Sequence, residues 1–138
     1  MIDIENDVFS LVAAELRSEY AGVWVSGDYV AVPARFPAVI ISEANNRVYE
    51  MSRTSSKREN AATVMYECKI YSNKVNNKHQ EARAIAKTLD AKMDELGFTR
   101  TFMSPIPNLL DASVFQIICR YEAVIVPNAD GKFYVHTN

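Results

Sequence analysis

The chain has 138 residues and a mass of 15.5 kDa, with 15 basic residues against 17 acidic ones for a net charge of −2. A chain of this size buries roughly 68–70% of the surface that its unfolded form exposes, so a single domain with its own core is expected, without disulfide or metal staples. The near balance of charge excludes a global field that would recruit nucleic acid or anionic lipid and leaves such contacts to local patches.

The N-terminal run MIDIENDVFSLV carries acidic residues where a signal peptide needs positive charge. No apolar run approaches the ~18–20 residues that span a bilayer, so no membrane contact is expected and the chain is read as made and kept in a cytoplasm. Cys68 and Cys119 each sit inside an apolar, strand-like run. A free thiol there behaves as a small hydrophobe, and both are expected reduced and buried.

Over residues 3–19, Ile4, Val8, Leu11, Val12 and Leu16 recur at helical period, which predicts a first amphipathic helix. Asp3 is placed to accept from orphan amides at its start, Glu5 and Asp7 suit the positive end of the dipole, and Gly22 follows as a stop. Residues 23–33 are aromatic and β-branched around Gly27-Asp28, which predicts extended chain broken by a turn. A strand is expected over 36–43, a turn at Asn45-Asn46, and a partner strand over 47–51 that closes a hairpin. Residues 52–60, SRTSSKREN, read as an exposed basic loop: a solvated connection, or a contact arm carrying Arg53, Lys57 and Arg58.

Residues 62–72 alternate cleanly, with Val64, Tyr66, Cys68 and Ile70 on one face and Thr63, Glu67 and Lys69 on the other. A second helix follows over 76–98, capped by Asn76 or Asn77. Its buried stripe is Ala82, Ile85, Ala86, Leu89, Met93 and Leu96, and Gly97-Phe98 suits a Schellman stop with Phe98 folding back on Met93. Its charged side, with Asp90, Asp94, Glu95, Lys87 and Lys92, reads as ordinary surface pairing. Residues 99–104 form a short strand ended by Pro105-Ile106-Pro107, and NLLD at 108–111 turns the chain. The longest strand, 113–126, sets Phe115, Ile117, Cys119, Tyr121, Ala123 and Ile125 against Gln116, Arg120 and Glu122. Residues 127–138 read as a tail beyond a single domain of residues 1–126, with a short strand over 133–135 that either frays or docks. The sum is an α+β fold: an antiparallel (mixed) β-sheet with two main helices packed on one face.

Recognisable catalytic chemistry is sparse. His79 and His136 have no sequence partner, the cysteines lack companion ligands, and Gly22, Gly27, Gly97 and Gly131 are scattered at turns, not clustered as a phosphate loop requires. No catalytic residue, cofactor or metal is therefore expected, and an enzyme with a site dispersed over Asp28, His79 and Asp111 is the weakest of three readings. A DNA-binding module using the basic 52–60 loop is the second, and it predicts salt-dependent affinity.

The first reading comes from a resemblance. The strand YECKIYSNK, the helix HQEARAIAKTLDAKMDELGF, the strand TRTFMSP and the run IPNLLDASVFQIICRYEAVI together resemble the tail terminator (tail completion or minor capsid) proteins of tailed bacteriophages. The likeness covers about residues 64–126. It implies a virion structural protein, assembled in the host cytoplasm, that forms a hexameric ring at the head-proximal end of the tail. Such a ring ends tube polymerisation and offers the head-tail joining surface. The implied partners are other copies of the chain, the major tail tube protein and a head-completion or neck protein, close to the packaged DNA. A head-completion or neck connector is the alternative. Arg53, Lys57 and Arg58 are expected at the tube or subunit contact, with Arg120, Tyr121 and Glu122 supporting the sheet.

Overall fold

Two helical-period runs fold back on one face of a sheet, and this packing decides which side of every strand is core. The structure, a computed structural model, describes residues 3–28, 33–48, 61–107, 111–127 and 133–135. In chain order the elements are α1 (Glu5–Glu19), β1 (Trp24–Ser26), β2 (Ala38–Val48), β3 (Ala62–Ser72), α2 (Lys78–Glu95), β4 (Thr99–Pro107), β5 (Phe115–Pro127) and β6 (Phe133–Val135). The sheet order is β1-β2-β3-β5-β4, with β6 paired to the end of β5. The β1–β2 pair is parallel and the others are antiparallel, so the fold is α+β with a mixed sheet.

The helix ends follow local chemistry. The Asp3 Oδ1 accepts the Glu5 amide at 3.2 Å, as its position suggested. α2 starts after Asn77, although no side-chain cap bond forms there. It ends in a complete Schellman arrangement. Gly97 has φ 92°, its amide donates to the Asp94 carbonyl at 2.9 Å, and the Phe98 amide donates to that of Met93 at 2.8 Å. Phe98 is buried with Met93 in the main core and meets Tyr66 edge to face at 5.5 Å.

That core joins Val8, Val12, Ala13 and Leu16 of α1 and the α2 stripe to the inward residues of β2, β3 and β5. Leu96 packs against it half-buried. Leu11, read from the sequence as part of the α1 stripe, is instead 43% exposed, and Ala13 takes the buried place. A smaller cluster of Ala38, Ile40, Tyr71 and Val114, flanked by Trp24 and Phe36, lies apart from it. Asp90 departs from the surface-pairing expectation. Its Oδ1 accepts from the Tyr121 hydroxyl at 3.2 Å and from Arg100 at 3.4 Å, tying α2 to β5 and β4.

Three strand readings are corrected. Asn45-Asn46 is not a turn: β2 runs through it and takes up the extra residue as a β-bulge between Glu43 and Asn45. The antiparallel partner of β2 is β3, with Val48 opposite Ala62; residues 47 and 48 of the expected partner strand belong to β2 itself, and residues 49–51 lie outside the described residues. β4 extends through Pro105 and Pro107, because an edge strand tolerates residues that cannot donate to a ladder. Residues 133–135 do not fray but pair with 125–127. Since Ile125 also faces Ala62 of β3, β6 occupies the β4 side of β5, in line with β4.

Cys68 and Cys119 are buried, reduced, and directly opposite each other across β3 and β5. Burial pushes both thiols up, away from the reactive thiolate. Neither should react with a thiol reagent in the native protein at neutral pH, and both should react once urea unfolds it. Rapid native labelling would show instead that the central strands part readily.

The two buried tyrosines give a matched pair. The Tyr66 hydroxyl is sealed from solvent without a hydrogen-bond partner, whereas that of Tyr121 is bonded to Asp90. Removing an unsatisfied buried group relieves a cost, and removing a satisfied one leaves its partner short. Tyr66→Phe should therefore stabilise the protein by about 1 kcal/mol, and Tyr121→Phe should destabilise it by about 1 kcal/mol or more. Urea midpoints check the opposite signs.

Candidate interaction surface

The helices cover one face of the sheet and leave the other to hold the polar alternates of β3 and β5. Cross-strand register turns these alternates into rows. Ser42, Glu67, Arg120 and Phe102 form one row across four strands, and Asn45, Met65, Glu122 and Thr99 form the next.

Charge and an aromatic ring are interlocked in these rows. The Arg120 Nε donates to the Glu67 Oε2 at 3.0 Å, while its guanidinium lies 5.0 Å from the centroid of the Phe102 ring. Lys69 Nζ stands 3.7 Å from Glu67 Oε1, and Arg47 reaches Glu122 at 3.8 Å. Arg120 is held on both sides yet keeps 45% of its side chain exposed. Phe102 is 40% exposed. A bulge in β4 between Arg100 and Phe102 sets this arrangement: it turns Phe102 outward over Arg120 while Arg100 reaches Asp90 on the helix side.

β4 is an edge of the sheet, and each of its residues is exposed or half-buried. Pro105 and Pro107 remove backbone donors from one end of it, so Thr99–Ser104 is the stretch with amides left for another chain. Each surface ion pair contributes little to stability, and a neighbour that desolvates the stripe would strengthen all of them together.

Of the residues singled out in the sequence, Arg120 and Glu122 share this face, and Tyr121 points the opposite way into the core. Arg53, Lys57 and Arg58, with the whole 52–60 loop, lie outside the described residues, as does His136. Sequence reasoning missed Phe102 and Arg47, and put Glu67 on the wet face without naming its partner; register alone supplies those pairings.

The dispersed carboxylate and histidine set does not converge. His79 stacks on Phe115 at 4.0 Å, and Asp111 folds onto Ser113, whose hydroxyl and amide hold its carboxyl below the ordinary carboxylate range. Asp28 lies apart, past the end of β1, with its amide bonded to Ser26 Oγ at 3.0 Å. Among the described residues, no helix is long and apolar enough to cross a membrane.

No family model matches this chain, and no curated protein matches it.

Proposed function

We propose that the chain is a structural subunit of a tailed-phage virion, a tail terminator that closes into a ring and caps the tail tube. The observation that supports this reading is the Glu67–Arg120–Phe102 stripe, a partly exposed, charge-patterned strip that ends at an edge strand. A closed ring needs two different patches on each subunit, one meeting the other around the circle. Here the outer sheet face and the β4 edge form one patch, and the basic 52–60 segment is the reach toward the next subunit or the tube end. The resemblance over residues 64–126 coincides with β3, α2, β4 and β5, the part that builds the stripe.

The test is assembly. Purified chain at high concentration should sediment as a ring and, mixed with polymerising tail tube protein, should shorten the tubes and cap one end in negative-stain images. A strict monomer that leaves tube length unchanged would sink the proposal. Neutralising Arg53, Lys57 and Arg58 together should weaken capping and leave the unfolding midpoint unchanged; an equal loss of folding would move the working surface elsewhere.

A further inference from the structure

Among the described residues, Asp3, Glu5 and Glu43 bring carboxylate oxygens within 4.8 Å of one another. A helix start accounts for the first two, since carboxylates there oppose the positive end of the dipole. It does not account for Glu43, which comes from β2, 38 positions after Glu5 by number (43 − 5), and is half-buried. The β2 bulge sets this carboxylate in place. It puts Asn46 on the same face as Glu43, where residues three apart on a regular strand would lie on opposite faces, and the Asn46 Nδ2 donates to Glu43 Oε1 at 3.0 Å.

Three like charges at one point are unfavourable by themselves. The independent observation is Tyr66. It stands directly opposite Glu43 across the β2–β3 ladder, it is fully buried, and its hydroxyl has no partner. A buried phenol oxygen left unmatched opposite one member of a carboxylate trio is an arrangement that a cation would complete. An open depression of about 320 Å³, lined by Asp3, Glu5, Asn6, Phe9, Gly27 and Ile41, leaves room for water ligands.

We propose that Asp3, Glu5 and Glu43 form a site for a hard divalent cation that fastens the start of α1 to the bulge of β2 beside the Tyr66 hydroxyl. Ca²⁺ fits best, because the donors are all oxygens on two separate elements, and Ca²⁺ accepts irregular shells of six to eight oxygens, whereas Mg²⁺ demands a near-ideal octahedron. The site would act by locking α1 onto the sheet, and it stands whether or not the assembly reading holds.

The probe is Tb³⁺, a luminescent stand-in for Ca²⁺, excited through tyrosine in about 150 mM salt to screen loose surface binding. Saturable emission at one ion per chain, displaced by Ca²⁺, is expected, together with a higher thermal midpoint in CaCl₂ than in chelator. Glu43→Gln should weaken binding about tenfold or more and erase the Ca²⁺-dependent rise, while the variant in chelator melts no lower than the parent because repulsion is relieved. Tyr66→Phe should dim the sensitised emission by removing the phenol opposite Glu43. If Glu43→Gln fails to fold, Asp3→Asn, at an exposed helix start, makes the same measurement. Absence of saturable emission, or binding unchanged in both carboxylate variants, overturns the site.

Discussion

Replacing Leu89 by alanine is expected to cost about 2–5 kcal/mol of unfolding free energy. Leu89 is fully buried at the middle of the α2 stripe, between Ile85 and Met93, in the cluster that joins both helices to the sheet. Truncation removes the transfer energy of the lost carbons and leaves a cavity whose walls, set by α1 on one side and β3 and β5 on another, cannot all move in. Against a typical total of about 5–15 kcal/mol, such a loss is a large fraction. The control is Leu11→Ala, the same change at a position 43% exposed, expected within about 0.5 kcal/mol of the parent. Urea midpoints at an unchanged slope measure both; similar losses at the two leucines would mean that α1 and α2 do not pack as described.

These two leucines also mark what could be read from the chain. The α2 stripe and its Gly97 stop were legible because helical period and left-handed glycine are local properties, and the alternation in β3 and β5 was legible for the same reason. Leu11 sits at the margin of its neighbours' period, and the period alone does not say that the buried arc runs through Ala13 on the other side instead. Asn45-Asn46 carries a true turn signal that a bulge absorbed, and the neighbour that made this worthwhile, β3, comes later in the chain. The parallel β1–β2 pair was hidden because three residues carry too little pattern to fix a direction.

The candidate surfaces were legible by half. Parity put Glu67, Arg120 and Glu122 on the wet face, but the stacking of Phe102 required a bulge in β4 and a register that sequence does not print. The acidic trio was out of reach for the same reason. Asp3 and Glu5 satisfied a helix start, and only the folded path of β2 brings Glu43 beside them.

If the chain assembles as proposed, reversing charge at Arg120, as Arg120→Glu, is expected to abolish self-assembly while costing the fold no more than about 1 kcal/mol. The side chain is nearly half exposed, so losing its 3.0 Å bond to Glu67 is a surface event, and water can solvate both carboxylates in the monomer. In an interface the same change is severe, because a stripe that alternates sign becomes an unbroken run of carboxylates from Glu67 through the substituted position to Glu122, with its water removed. The charge-swapped pair Glu67→Arg with Arg120→Glu separates the two effects. It restores the ion pair and any stability lost with it, yet it presents the opposite pattern to a neighbour, so assembly should stay lost if another subunit reads this face. Sedimentation across a concentration series, beside urea midpoints for each variant, gives both quantities. Assembly of Arg120→Glu at the parent's concentration dependence would remove the outer sheet face from the ring contact, and recovery of assembly in the swap would show that the pair serves the fold alone.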